Sequence, residues 1–177
     1  MPIDEDLMVA ARAGDRSAIA GLFDRYREPV WRFFRRRVRD PELAADLAQE
    51  TFVAILKGAA SYEPRAAFRS YLFGIAFNVL AAARRKSAAT VAVPGVSDPI
   101  VSGSDPYVVL WVRRALAELA DEDREIVMLR EYEGLSYEEI AQLVSVPVGT
   151  VRSRLFRARQ ALREQLAGQP AGQGVAR

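Results

Sequence analysis

The sequence predicts an all-α protein of two small helical domains joined by a flexible linker. Long stretches rich in Ala, Leu, Arg and Glu have the apolar spacing of amphipathic helices. Residues 88–105 interrupt them with small residues, Gly and Pro, and no apolar period continues there. No segment has the alternating pattern that is typical of a strand. We therefore predict a first domain at 1–87, a second at 106–167 and a disordered tail at 168–177.

Composition excludes several classes of function. The chain has 177 residues with no cysteine and no histidine, which excludes disulfides, thiolate or imidazole catalysis and the usual zinc sites. It has no G-x-x-x-x-G-K-[ST] motif for nucleotide hydrolysis. The acidic start MPIDEDLMVAARAGD is unlike a signal peptide, and no apolar run has the length of a membrane span. We expect a cytoplasmic, non-catalytic protein without membrane insertion, metal or cofactor.

Charge is distributed in blocks along the chain. The net charge is only +2, yet residues 25–87 hold 13 basic and 6 acidic side chains, and residues 148–177 hold 6 and 1. Residues 88–147 hold 4 basic and 11 acidic side chains. Two basic blocks separated by an acidic one predict two contacts with a polyanion, and a random scatter of surface charge is the alternative.

Turn residues divide the first domain into four predicted helices. The helices span about 4–13, 16–38, 42–57 and 66–87. The breaks between them are Gly14-Asp15, Asp40-Pro41 and the segment from Gly58 to Pro64. Pro29 lies inside the second helix, where it predicts either a kink or the true start of that helix.

The third helix has a face of acidic and amide side chains. In DLAQETFVAIL this face contains Asp46, Gln49, Glu50, Val53 and Lys57. The side chains that turn another way are Leu47, Thr51, Phe52 and Ile55. An acidic patch within a basic domain would repel DNA locally, so we predict a protein partner for it. An ordinary polar helix face is the alternative.

The fourth helix, in AFRSYLFGIAFNVLAAARRK, combines aromatic, amide and basic side chains. One apolar face contains Phe68, Leu72, Ile75 and Val79. A second face contains Phe73, Phe77, Leu80 and Arg84, beside Asn78 and Arg85. Aromatic rings can stack on unpaired bases, and amide and basic groups can bind base edges. Packing between helices is the competing explanation for the second face, whereas the adjoining basic residues Arg84-Arg85-Lys86 favour nucleic acid.

The second domain is predicted to end in two helices joined by a short turn. Two earlier helices span about 106–119 and 122–132. Gly134 ends the second of these, and Ser136 with Glu139 forms a capping box that opens the helix in LSYEEIAQLV. Ser145-Val146-Pro147 then forms a three-residue turn. So short a turn forces a steep crossing, which is typical of a helix-turn-helix whose second helix enters the major groove.

The last helix, in GTVRSRLFRARQAL, carries four arginines and no acidic residue. Val151, Leu155, Ala158 and Leu162 fall within an arc of about 60° and form a core face. The opposite arc contains Arg152, Ser153, Phe156, Arg157, Gln160 and Arg163, flanked by Arg154 and Arg159. Arginine can bind guanine through two hydrogen bonds, and a helix N-terminus, here near Gly149-Thr150, favours a phosphate. Burial of Phe156 against another element is the alternative to its exposure.

Together these segments resemble the bacterial sigma factors, in particular the small extracytoplasmic-function group of the sigma-70 family. The resemblance extends from about Ile19 to Leu166. DLAQETF, FRSYLFGIAFN and EIVMLREYEGLSYEEIAQLVSVPVGTVRSRLFRARQAL carry it. It implies a region 2-like helical bundle followed by a region 4-like helix-turn-helix domain. Such a protein binds core RNA polymerase, recognises the −10 and −35 promoter elements, assists strand separation and is not itself an enzyme.

The resemblance also implies roles for individual residues. Asp46, Gln49, Glu50 and Phe52 correspond to the segment that docks on the clamp helices of the polymerase β′ subunit. The loop at about 58–66 and the following helix correspond to the part that captures the −10 element, with candidates Tyr71, Phe77, Asn78, Arg84 and Arg85. The −35 candidates are Thr150, Arg152, Ser153, Phe156 and Arg157, with Arg154 and Arg159 as phosphate contacts. The polymerase β flap and an anti-sigma factor are further expected partners.

Two other functions are compatible with parts of the sequence. A stand-alone transcription regulator would explain the helix-turn-helix, but neither the aromatic and basic fourth helix nor the DLAQETF face. A protein-interaction adaptor, such as an anti-sigma antagonist, would retain its function when the arginines of the last helix are replaced.

Overall fold

The structure, a computed structural model, describes residues 3–64, 67–86 and 106–167. The chain divides into two compact units, Met1–Pro99 and Ile100–Arg177. The described residues of both units are helical, without any strand among them, so the all-α prediction is confirmed. The predicted linker at 88–105 and the predicted tail at 168–177 lie outside the described residues. Within those residues, no helix is long and apolar enough to cross a membrane.

Two of the four helices of the first unit begin at local capping side chains. The four helices are α1 (Asp4–Arg12), α2 (Arg16–Arg35), α3 (Pro41–Gly58) and α4 (Phe68–Lys86), with a 3₁₀ turn at Ala59–Ser61 after α3. The Asp15 carboxylate accepts the Ser17 N–H at 2.8 Å and so caps α2. Asp40 caps α3 in the same way, ahead of Pro41. Because α2 begins at this cap and continues through Pro29, the alternative that Pro29 starts the helix is wrong.

The predicted second helix extends three residues beyond the observed end of α2. After Arg35 the chain turns, and the Arg35 guanidinium donates to the Val38 carbonyl at 3.1 Å and to the Arg39 carbonyl at 2.9 Å. These bonds satisfy the carbonyls of Val38 and Arg39, which lie beyond the end of α2. The chain therefore reaches the Asp40 cap of α3 through a compact turn.

An aromatic cluster forms the core between α2 and α4. The rings of Phe33 and Phe34 meet edge to face with centroids 5.1 Å apart, and Phe73 lies 5.7 Å from Phe33. Phe73 and Leu80 are fully buried. For these two residues the competing explanation, packing between helices, therefore accounts for the second face of α4. Phe77 on the same face remains half-buried.

The second unit contains four helices, α5 (Pro106–Ala117), α6 (Asp121–Glu131), α7 (Tyr137–Leu143) and α8 (Val148–Ala167). Gly134 has a positive φ of 70° after α6, as a helix-ending glycine requires. The capping box is confirmed, because the Glu139 N–H donates to the Ser136 hydroxyl and the Ser136 N–H to the Glu139 carboxylate, at 3.1 and 2.7 Å. The turn from α7 to α8 has four residues, one more than predicted, and contains Ser145 at φ 55°.

The core of the second unit forms where α8 packs on α5, α6 and α7. Val151, Leu155 and Ala158 are buried, as the sequence predicts, whereas Leu162 is half-buried. The buried Arg124 side chain of α6 donates from Nε to the Leu116 carbonyl at 2.9 Å and so satisfies the end of α5. Helix α8 is therefore supported by contacts with α5, α6 and α7.

Replacement of the capping serine should destabilise the second unit selectively. Ser136→Ala removes the acceptor for the Glu139 N–H, so we expect the free energy of unfolding to fall by about 1 kcal/mol. Urea unfolding of the full chain, followed by Trp111 fluorescence in a Trp31→Phe background, measures this change. Ser153→Ala is the control, because its hydroxyl bonds only within α8, to the Thr150 carbonyl at 3.0 Å. Equal effects of the two variants would contradict the assignment of the cap.

Candidate nucleic-acid interface

The outer face of α8 projects into solvent from the core of the second unit. Its exposed side chains are Arg152, Ser153, Phe156, Arg157, Gln160 and Arg163. Phe156 has 68 % of its surface exposed, so the alternative that it packs in the core is wrong. An exposed aromatic ring therefore lies among guanidinium groups, which together can make apolar and charged contacts with DNA.

Arg152 and Arg157 of this face are available for a ligand. Neither Arg152 nor Arg157 forms an ion pair or hydrogen bond with another described residue. A guanidinium presents five donors in a planar fork, which fits the two acceptors of guanine or the oxygens of a phosphate. Their hydrogen-bonding capacity therefore remains open for a partner outside the chain.

The two flanking arginines are instead held by acidic residues of α6. Arg154 Nη1 lies 2.5 Å from Glu122 Oε2, and Arg159 Nη2 lies 2.6 Å from Glu131 Oε1. The hydrogen bonds that Arg159 donates to Glu131 raise the pKa of Arg159 above its usual value. The sequence showed α6 to be acidic, but the pairing depends on which faces of α6 and α8 meet.

The N-terminus of α8 is open to solvent. The Thr150 N–H donates to the Pro147 carbonyl at 2.9 Å, so the helix hydrogen bonds begin at Pro147. An added Cβ at Gly149 would meet nothing within 4 Å. The sequence prediction of a phosphate near this end is compatible with that space, because the positive end of the helix is unobstructed. Thr150 itself is half-buried.

The acidic face of α3 is exposed as the sequence predicts. Asp46, Gln49 and Glu50 lie on the surface, whereas Leu47, Thr51 and Ile55 on the other face are buried. Within the described part of the first unit, the carboxylates of Asp46 and Glu50 have no ion pair or hydrogen bond. This face can therefore attract a basic partner.

Phe52, the fourth candidate for polymerase binding on α3, is less exposed than Asp46, Gln49 and Glu50. It is half-buried, and its ring meets that of Phe23 edge to face at 4.9 Å. Beside it lies a cavity of about 260 Å³, with an almost entirely apolar lining that includes Met8, Ile19 and Leu56. The sequence did not indicate this cavity, because its lining residues come from all four helices of the first unit and from the 3₁₀ turn.

The candidates on α4 differ in their exposure. Asn78 and Arg85 are exposed, whereas Tyr71, Phe77 and Arg84 are half-buried. Tyr71, Asn78 and Arg85 are spaced by seven residues, so they follow one side of the helix at about 10 Å intervals. An amide and a guanidinium on one exposed side provide donors for base edges or phosphates.

Tyr71 is the most constrained of these candidates. Its ring lies 5.0 Å from that of Tyr62, and an added Cβ at Gly58 would lie 2.8 Å from its hydroxyl oxygen. Burial raises the pKa of Tyr71 above its usual value. Tyr71 thus packs where α4 approaches the end of α3, and Gly58 leaves the space that this packing needs.

Comparison with known proteins identifies both units. Residues 22–90 match the family Sigma-70 region 2, and residues 110–162 match Sigma-70, region 4. The RNA polymerase sigma-H factor of Pseudomonas aeruginosa is 31 % identical over 180 residues, covering 92 % of this chain and 93 % of that protein. The ECF RNA polymerase sigma-E factor of Salmonella typhimurium is 32 % identical over 176 residues, covering 90 % and 92 %.

A solved structure has a similar fold. The sigma factor RpoE from Bartonella quintana, in complex with the anti-sigma factor NepR, superposes with a TM-score of 0.64 and 28 % identity, covering 80 % of this chain and 92 % of that one. The two matched regions contain the acidic face of α3, the exposed side of α4 and the basic face of α8. The chain belongs to the extracytoplasmic-function group of the sigma-70 family, the sigma factors that direct transcription initiation.

Proposed function

We propose that α8 recognises the −35 promoter element and that α4 binds the separated −10 strand, while the acidic face of α3 docks on core RNA polymerase. The observation that carries this assignment is the exposed face of α8, where Phe156 is exposed together with Arg152 and Arg157. In a helix-turn-helix, the second helix enters the major groove, where arginine distinguishes guanine from other bases. Arg154 and Arg159 contact flanking phosphates after exchange of their acidic partners.

Strand separation follows from binding to one strand. The side chains of Asn78 and Arg85 bind unpaired bases and the sugar-phosphate backbone, and the half-buried Phe77 ring borders the same surface. Binding to unpaired bases lowers the free energy of the open promoter relative to the duplex. The chain has no nucleotide-hydrolysis motif, and we propose that it catalyses no reaction, because RNA synthesis occurs in the polymerase.

The polymerase contacts are divided between the two units. Asp46, Gln49 and Glu50 bind basic and polar groups of the β′ clamp helices, and Phe52 adds an apolar contact. The second unit contacts the β flap. We further propose a cytoplasmic location and control by an anti-sigma factor, since the similar structure from Bartonella quintana contains such an antagonist.

Run-off transcription tests the proposed function directly. We expect core polymerase to produce promoter-specific transcripts from genomic fragments only when this chain is added. The chain alone should bind the same duplexes weakly, whereas a stand-alone regulator would bind them without polymerase. Absence of a specific transcript from every fragment would overturn the proposal.

Loss of a recognition arginine should reduce both promoter affinity and base discrimination. For Arg152→Ala or Arg157→Ala we expect a loss of about 1–3 kcal/mol for each base contact, or roughly 5- to 150-fold in promoter binding. Binding of the holoenzyme to −35 elements with single base changes measures both effects. The variant should no longer distinguish the native base at one position.

Arg163→Ala provides a matched control for these variants. Arg163 is exposed on α8, four residues beyond Arg159, so the change removes the same charge from the same helix. It should reduce affinity only slightly and equally for all −35 sequences. If Arg163→Ala and Arg157→Ala had the same effect, α8 would bind through charge alone.

Neutralisation of the α3 face should weaken the complex with core polymerase. For Asp46→Asn combined with Glu50→Gln we expect about a tenfold loss of affinity for the core enzyme, since close interfacial charge pairs contribute about 1.5 kcal/mol or more. Competition between wild-type and variant chains for a limiting amount of core enzyme measures this loss. The difference should decrease as ionic strength increases. Glu42→Gln, also exposed on α3, should compete like the wild type.

A further inference from the structure

The N-terminal helix α1 begins outside the segment 22–90 that matches region 2. Its polar side chains nevertheless hold the chain on both sides of the connection from α3 to α4. Arg12 Nη1 donates to the Tyr62 carbonyl at 3.2 Å, and the Phe68 N–H donates to Glu5 Oε1 at 2.8 Å. These bonds join residues that are 50 and 63 positions apart in the sequence.

Glu5 replaces a cap that α4 lacks in its own sequence. The Ala67 carbonyl accepts the N–H groups of Ser70 and Tyr71 at 2.9 and 3.3 Å, so Ala67 is the capping position of α4. Alanine has no side-chain acceptor for an N–H group of the first turn, and that turn contains no acidic residue. Glu5 supplies both the acceptor and the negative charge that the positive end of a helix favours.

Helix α1 is itself fixed firmly enough to hold α4. The Asp4 carboxylate pairs with Arg25 and accepts the hydroxyl hydrogen of Tyr26, both on α2. Burial, together with the hydrogen bond to Asp4, raises the pKa of Tyr26 to about 12, so its hydroxyl remains a donor at neutral pH. Met8 and Ala11 of α1 are buried in the core.

Tyr62 and Phe68, whose backbone groups bond to α1, lie next to the side of α4 that carries Asn78. Three rings form one cluster: Tyr62 lies 6.4 Å from Phe68 and 5.0 Å from Tyr71, and Phe68 lies 6.2 Å from Tyr71. Tyr71 precedes Asn78 by two helical turns on the same side of α4. The first turn of α4 and its ring cluster therefore lie along the side of the helix that presents Asn78.

We propose that Glu5 and Arg12 are positioning residues for recognition of the −10 element. They fix the Tyr62 backbone and the first turn of α4, so that Asn78 is presented to the separated strand. This inference rests on the proposed function of α4. Neither residue bonds to the exposed face of α3 or belongs to the second unit, so polymerase docking and −35 binding do not depend on them.

The central test compares Glu5→Ala with Asp6→Ala. Asp6 is exposed in the same turn of α1, so both variants lose one negative charge from the same place. We expect promoter opening by the Glu5→Ala holoenzyme, followed by permanganate reactivity of unpaired thymines, to be about fivefold weaker, as expected for loss of one helix cap. Asp6→Ala should match the wild type, and both variants should bind core polymerase normally.

A local cap should rescue the defect. Ala67→Ser places a hydroxyl acceptor at the capping position of α4, so Glu5→Ala combined with Ala67→Ser should recover most of the opening activity. Arg12→Ala should also weaken opening, and Arg12→Lys should retain part of it by donating to the Tyr62 carbonyl. Because the rescue restores α4 without restoring Glu5, it separates positioning from a general loss of stability.

Two further measurements distinguish positioning from a purely structural role. The affinity ratio of the holoenzyme for a native −10 single strand over a base-substituted strand should fall in Glu5→Ala and recover with Ala67→Ser. Loss of folded protein alone would lower both affinities without changing their ratio. Amide hydrogen exchange at Phe68 in the free chain should be faster in Glu5→Ala than in Asp6→Ala.

Several outcomes would overturn the inference. Faster exchange at Phe68 with unchanged opening and an unchanged strand ratio would show a cap without a role in recognition. Equal effects of Glu5→Ala and Asp6→Ala would indicate charge alone. Asn78→Ala tests the proposed function of α4 separately, because this variant keeps Glu5. If the variant left the −10 preference unchanged, the proposed function of α4 itself would be wrong.

Discussion

A surface helix buries one side, and in α3 and α8 of this protein the buried side determines which side chains remain for a partner. Successive side chains on an α-helix are rotated by about 100°. Burial of Val151 and Leu155 in the second unit therefore turns Arg152 and Phe156 outward. Burial of Leu47 in the first unit likewise turns Asp46 toward solvent. Buried apolar contacts in the two cores thus orient the exposed faces, although the buried residues cannot themselves contact a ligand.

Charge then distinguishes arginines that look equivalent in the sequence. Arg154 and Arg159 are paired with acidic residues of α6, whereas Arg152 and Arg157 have no partner among the described residues. Such partly exposed ion pairs contribute at most about 1 kcal/mol. A phosphate can therefore replace the carboxylate at small cost, as the proposed phosphate contacts of Arg154 and Arg159 require.

Features that are local in the sequence were predictable. The capping box at Ser136, the buried stripe of α8 and the outer face of α3 each depend on residues within about two helical turns. The sequence left the burial of Phe73 open as one of two alternatives and did not indicate the pairing of Arg159 with Glu131, because both depend on which helix faces meet. The roles of the α4 candidates came from the family resemblance, since periodicity alone allowed their second face to be core packing.

The cap supplied by Glu5 is a case in which local sequence and fold disagree. The residues at the start of α4 would not cap a helix by themselves, yet α4 begins at Phe68 because a distant carboxylate completes it. Such disagreements are expected where a structure serves a function beyond stability. A serine or aspartate at position 67 would make the start of α4 independent of α1. With alanine there, the start of α4 depends on Glu5, and loss of that carboxylate should cost about 1 kcal/mol, as loss of a local cap does.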